Sequence, residues 1–309
     1  MTKVFIDGSA GTTGLRIAER LESRNDIELI KLSEENRKDI SARQKAINKA
    51  DIVFLCLPDV ASIESVSLCD NTHTVIIDTS TAHRTNSDWA YGFPELSADL
   101  HNKIKNSKRI ANPGCHASGF IALIYPLIEK GILDENALLS CVSLTGYSGG
   151  GKKMIADYEA EGRDVLLDAP RQYGLSQTHK HLPEMTAITG IKNPPAFMPI
   201  VGDFYSGMEV TIPIFPQMLR GAGIEEIKNI YKEKYTGPIV YFTEDFAENG
   251  FVSANKLRNK DSMEISVSGN EDRILLIARY DNLGKGASGA AVECMNIVLG
   301  CDLTTGLEI

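Results

Sequence analysis

The chain lacks any long apolar run. Its longest, Phe120 to Ile128, is nine residues and contains Pro126. A bilayer crossing needs about 20 apolar residues, so no transmembrane helix is expected. Positive charge is scarce: 32 Lys and Arg face 41 Asp and Glu, a net charge of −9. That balance speaks against a nucleic-acid or membrane-surface partner. An anionic small substrate would need local dipoles and a few basic residues to hold it. Cysteine is sparse, six in 309 residues. There is no C-x-x-C pair and no Cys/His cluster with finger or ribbon spacing, so no metal is expected. The opening Met1-Thr2-Lys3-Val4-Phe5-Ile6-Asp7-Gly8 reads as a first strand rather than an export signal. Reduced thiols and a cytoplasmic location follow as expectations. Internal repeats and low-complexity linkers are also missing.

What is present is ordinary globular material, 43% hydrophobic and 24% charged, long enough for two domains. Strand signals at 3–7, 27–32, 51–58 and 74–78 alternate with helical stretches that follow Gly14 and lie near 39–49 and 60–69. Strands apolar on both faces argue a buried parallel sheet, hence a doubly wound α/β Rossmann domain through about residue 113. The middle differs. Segments 138–145, 207–214, 239–242, 263–268 and 274–280 read as longer strands, several alternating, with helices near 119–130 and 224–234. They predict an α+β domain built on a mixed or antiparallel sheet with one open face. A helix of small residues begins near Gly286 and ends near Gly300.

Seven short segments carry the candidate chemistry. Gly8-Ser9-Ala10-Gly11-Thr12-Thr13-Gly14 is G-x-x-G-x-x-G between a strand and a helix, where glycine lets backbone approach a pyrophosphate at a helix N-terminus. At the end of the second strand an acidic residue would favour NAD and basic ones a 2′-phosphate. Ser33, Glu34, Arg37 and Lys38 offer both. Asn112-Pro113-Gly114-Cys115 is turn chemistry ahead of an apolar helix. It puts Cys115 at a helix N-terminus, where dipole and free N–H groups favour a thiolate nucleophile and can hold an oxyanion. His179-Lys180-His181 in an extended segment would show both imidazoles on one face, as acid/base candidates; His116 is adjacent to Cys115. Asp78 to Arg84 follows the fourth strand at the ligand-binding edge, where Arg84 would clamp a carboxylate or phosphate. Asn282-Leu283-Gly284-Lys285-Gly286 allows close approach to a cofactor. Tyr147 to Lys153 reads as a functional loop.

In order and spacing these motifs resemble the short-form N-acetyl-γ-glutamyl-phosphate reductase family of arginine biosynthesis: D-x-S-x-A-x-R at 78–84, Gly92-Phe93-Pro94-Glu95, N-P-G-C at 112–115, S-G-G-G-K at 148–152, H-x-H-x-P-E at 179–184 and N-x-G-K-G-A-S-G at 282–289. The resemblance implies a semialdehyde dehydrogenase-like fold. Residues 1–113 and 285–309 would form the NADP-binding domain, and 114–284 the catalytic and dimerisation domain of a homodimer or homotetramer. It implies a Cys115 thioester formed from a small acyl phosphate and reduced by NADPH, with His181 favoured over His179 as acid/base. NADP would be held by residues 8–14, Ser33, Arg37, Lys38, Ser80, Asn282, Gly284, Lys285 and Gly286. Arg84, Lys152, Glu184 and Arg220 would hold substrate. The rival readings are an aspartate-semialdehyde dehydrogenase-like enzyme, a non-catalytic NADP-binding sensor and a thiol hydrolase.

Overall fold

The computed structural model describes residues 1–309 as two compact units, 1–114 with 287–307, and 115–286 with 308–309. In the first unit, β1 (Thr2–Asp7), α1 (Thr12–Glu22), β2 (Ile27–Ile30), α2 (Ile40–Lys49), β3 (Ile52–Leu55), α3 (Asp59–Ser67), β4 (Val75–Asp78), β5 (Ala90–Tyr91), α4 (Ala98–Asn106) and β6 (Arg109–Ala111) follow in order. The sheet order is β2-β1-β3-β4-β6-β5, and every pairing is parallel. The strands are apolar on both faces because both are covered. Val4, Phe54 and Ile77 join one core with α1 and the C-terminal helix, while Val53, Leu55 and Ile76 join another with α2. Asp39 caps α2 by accepting the Ala42 N–H.

The second unit contains α5 (Cys115–Glu129), β7 (Ser140–Gly146), α6 (Gly151–Glu159), β8 (Arg171–Gln172), α7 (Leu182–Thr189), β9 (Ala196–Gly202), β10 (Met208–Ile214), α8 (Ile224–Lys234), β11 (Val240–Phe242), β12 (Met263–Asn270) and β13 (Arg273–Tyr280). Its sheet is mixed, ordered β11-β12-β13-β10-β7-β9-β8. Alternation decides the faces. Met208, Val210, Ile212 and Ile214 are buried toward α5, whereas Glu209, Thr211 and Pro213 point the other way and are half-buried. α9 (Gly289–Leu299) returns to the first unit and packs on α1 and α4. The terminal pair was expected in the first unit. It belongs to the second, because Asp261 N–H donates to the Glu308 carbonyl and Glu308 N–H to the Asp261 carboxylate.

α5 is buried almost throughout and carries Pro126. Proline removes the N–H that would bond the Ala122 carbonyl and crowds that turn. Tyr235 from the end of α8 donates its hydroxyl to that carbonyl at 2.7 Å, and Tyr231 does the same for Leu123. The helix therefore stays intact through a residue that ordinarily breaks one.

Candidate active site

β6 ends by delivering the chain to Cys115. Asn112 N–H donates to the Asp78 carbonyl at 2.8 Å, its side-chain amide donates to the Ala287 carbonyl at 2.9 Å, and Arg84 Nε donates to its carbonyl at 2.9 Å. Arg84 is 8% exposed and also donates to the Thr79 carbonyl. It fastens the turn before Cys115 through these two backbone contacts. Ser80 lies on the loop after β4. Its hydroxyl donates to Asp78 at 2.7 Å, alongside Ser62 at 2.6 Å and His83 Nδ1 at 2.6 Å. A fully buried carboxylate needs such partners, and they hold the loop after β4. The His83 ring stacks on Trp89 with centroids 4.0 Å apart.

Around the start of α5, the second unit gathers three histidines. The His116 ring lies 5.7 Å from those of His179 and His181, which are 4.8 Å apart. His179 and His181 were expected in an extended segment. They occupy the turn leading into α7, with His181 at its N-cap, because Leu182 and Pro183 suit the first helical positions. The turn folds both rings to one side, and His181 N–H donates to His179 Nδ1 at 3.2 Å. His116 is buried, 2.7 Å from Ser143 Oγ and 2.6 Å from Tyr173 Oη. Burial and neighbouring His179 push it down to about 3, so it is neutral at physiological pH. Burial lowers His179 too, helped by Lys180. Burial raises the Tyr173 hydroxyl, as does the nearby Cys115 charge. Nowhere in the fold do three or more His, Cys, Asp or Glu side chains converge as a metal site would.

Three further candidate residues are packed within the second unit. Asn282 accepts Gly207 N–H at 2.9 Å and donates to Ser148 Oγ at 3.0 Å. Both ends of its amide thus join turns of the second unit. Gly284 is packed on Lys260, whose carbonyl oxygen lies 2.0 Å from where a Cβ would stand. Arg220 pairs with Asp134 on the surface and its N–H bonds Ile132, beyond the C-terminal end of α5. That helix is about 22 Å long at 1.5 Å per residue, so Arg220 sits at the opposite end from Cys115. Lys285 is buried, and a Cβ on Gly286 would stand 3.2 Å from that of Cys115. Lys152 is exposed in the first turn of α6, and Glu184 is buried in the first turn of α7.

The glycine turn opens on a cavity of about 600 Å³ in the first unit. Gly8 has φ +91°, and a Cβ there would meet the Cys56 carbonyl oxygen at 2.3 Å. A Cβ on Gly14 would meet the Gly8 oxygen at 2.5 Å, so α1 packs directly on the turn. No side chain caps α1, which leaves its first N–H groups for an anion. Residues 8–11 line the cavity with Leu32, Arg37, Lys38, Cys56 and Leu57. Ser33 is not among the lining residues; its carbonyl closes the turn by accepting Asn36 and Arg37 N–H groups. Glu34 pairs with Arg37 at 2.6 Å. The residues at the end of β2 that do face the cavity, Lys31 and Leu32, include no acid. Arg43 also lines it, but its guanidinium is held by Asp7, Glu64 and Ser65. Desolvation pushes the Cys56 thiol up to about 12, which disfavours its thiolate. Lys31 and Arg43 were invisible in sequence, where nothing tied them to the glycine turn.

A parallel nucleotide-binding unit and a mixed-sheet unit that begins on a helix-borne cysteine are the two parts of semialdehyde dehydrogenases. The profile of the semialdehyde dehydrogenase NAD-binding domain matches residues 3–104, and that of the dimerisation domain matches residues 115–282. N-acetyl-gamma-glutamyl-phosphate reductase 2 of Nostoc sp. is 42% identical, with 99% of each chain covered. The N-acetyl-gamma-glutamyl-phosphate reductase of Allorhizobium ampelinum is 44% identical, covering 96% of this chain and 98% of its own. Among solved structures, aspartate semialdehyde dehydrogenase from Francisella tularensis superposes with a TM-score of 0.73 at 15% identity, over 97% of this chain and all of the other. At that identity the likeness is one of fold. The chain belongs to the N-acetyl-gamma-glutamyl-phosphate reductase family of semialdehyde dehydrogenases.

Proposed function

We propose that the protein reduces N-acetyl-γ-glutamyl phosphate to N-acetylglutamate semialdehyde, releasing phosphate and using NADPH, in arginine biosynthesis in the cytoplasm. The observation that carries this reading is Cys115 at the N-terminus of α5 in a unit that gathers His116, His179 and His181. The Cys115 thiolate attacks the acyl carbon, the bond to the phosphate oxygen breaks, and a thioester forms. The positive end of the α5 dipole, at whose N-terminus Cys115 stands, stabilises the oxyanion at that carbon. NADPH, when bound, supplies the hydride that reduces the thioester. His181 provides the proton that the carbonyl oxygen needs and takes it back as Cys115 leaves as thiolate. His179, whose Nδ1 accepts the His181 N–H, holds the turn in place. His116 stays neutral with both nitrogens engaged and does not shuttle protons.

The cradle fits a phosphorylated dinucleotide. Residues 8–14 meet the pyrophosphate, and Arg37 and Lys38, with Lys31 beside them, face the place where a 2′-phosphate would be read. Lys285 and Gly286 remain cofactor candidates and Lys152 and Glu184 substrate candidates. A pocket shaped for a neutral N-acetyl group rejects a free ammonium, since an unpaired buried charge costs several kcal/mol. The open face of the second sheet supports a homodimer. Val142 and Leu144 lie in register with Met198 and Ile200, all half-buried apolar side chains without a covering helix.

The test is the reverse reaction, with phosphate and NADP, comparing N-acetylglutamate semialdehyde with aspartate semialdehyde. A strong preference for the N-acetylated substrate, abolished in Cys115→Ser while NADPH still binds, is the expected result. Equal kcat/KM for the two aldehydes would reject the substrate. An active serine variant would reject the thioester, because serine without strong base activation is a poor nucleophile.

A further inference from the structure

In an α-helix the carbonyl of one residue accepts the N–H four residues on. For the first such pair of α5, Cys115 and Gly119, a side chain stands between the partners. Tyr280 Oη accepts the Gly119 N–H at 3.0 Å and donates to the Cys115 carbonyl at 2.6 Å. Tyr280 is fully buried at the end of β13, with register partners Met208 and Met263 on both sides, so its ring is held by the middle of the sheet. Room for the wedge is made by two glycines. A Cβ on Gly119 would stand 2.7 Å from Tyr280 Oη and 2.7 Å from Val210 Cγ2, and one on Gly286 would stand 3.4 Å from the Tyr280 ring and 3.2 Å from the Cys115 Cβ. A glycine inside a helix is unfavourable on its own, and this contact gives it a reason. Burial and the charge of Cys115 raise the Tyr280 hydroxyl far above its usual range, so it keeps its proton.

We propose that Tyr280 is the positioning residue of the nucleophile: its hydroxyl, wedged into the first backbone pair of α5, fixes the main chain of Cys115 and so the direction in which Sγ attacks. This rests on Cys115 being the nucleophile. Tyr280→Phe removes the wedge and keeps the ring. The Gly119 N–H and Cys115 carbonyl can then pair directly, so no buried group is orphaned and the fold is retained. Misplacing a reacting atom by a fraction of an ångström to an ångström costs up to about a hundredfold in rate. The expected result is a fall in kcat of about tenfold or more with KM for NADPH unchanged, and slower iodoacetamide alkylation of Cys115 with an altered pH profile. Wild-type kcat and alkylation would overturn the proposal. So would a lowered melting temperature with alkylation unchanged, since that marks a merely structural hydroxyl. If the phenylalanine variant does not fold, Gly119→Ala with Val210→Ala displaces the same hydroxyl and must slow alkylation equally; wild-type alkylation there also overturns it. Cys115→Ser is the separate control, because turnover in that variant would remove the nucleophile itself and not the wedge.

Discussion

His116 should resist protonation far below the normal histidine range, and stability should depend on that. Its imidazole is buried among Ser143, Tyr173, His179, His181 and Phe197, with no carboxylate against it. It sits at about 3 in the folded protein, against about 6.5 in an unfolded chain. A histidine with a depressed folded value binds its proton first in the unfolded state. The native state is therefore fully favoured above about pH 6.5 and loses stability as pH falls toward 3. With those two values the loss between pH 7 and pH 5 is about 2 kcal/mol from this residue, and His179, also depressed, adds in the same direction. The direct assay is proton NMR of the histidine C2–H signals, with His116 assigned by its absence in His116→Gln. The signal should stay at its neutral position from pH 8 to about 4.5. Urea unfolding of the second unit should then show a shallower pH slope in His116→Gln than in wild type, whatever the absolute stabilities. A His116 signal titrating near pH 6, or identical slopes, would refute the account of a desolvated neutral imidazole.

Two other variants test the cofactor cradle. Gly8→Ala combines a positive φ with a Cβ 2.3 Å from the Cys56 carbonyl oxygen. It should destabilise the first unit by about 2–4 kcal/mol and weaken NADPH binding, checked by thermal melting and fluorescence titration; an unchanged melting temperature would show the turn relaxes freely. Arg37→Ala with Lys38→Ala should raise Kd for NADPH about ten- to a hundredfold and leave NADH nearly untouched. Equal losses with both cofactors would mean the pair supports the loop rather than a phosphate.

The βα alternation of the first unit was legible because strands such as Ile52–Leu55 are buried on both faces and turn residues separate them. β9 was not, since Pro199 inside it and two prolines before it read as loop. α6 was hidden by Gly149 to Gly151, which make Tyr147 to Lys153 read as a functional loop rather than the start of a helix. Cys115 and each histidine were visible singly. Their convergence was not, because Ser143, Tyr173 and Phe197 reach His116 from segments 27 to 81 residues away and only strand register brings them there. Arg84, Ser80 and Asn282 each bond partners within the fold, and nothing in the sequence pairs them with those groups. Tyr280 gave no signal, being one more apolar position in a strand. The available clue was Gly119, out of place in an apolar helix.

The stacking of His83 on Trp89 reaches into spectroscopy. Trp89 is the chain's single tryptophan and lies buried in the first unit. Its emission is therefore a private channel. It reports the polarity around the nucleotide-binding unit and the state of the imidazole 4.0 Å away, and carries no tryptophan light from the unit that holds Cys115. Denaturation followed at that wavelength would trace one half of the molecule. The other half is seen only through its tyrosines, among them Tyr231, Tyr235 and Tyr280, which hold α5 in place.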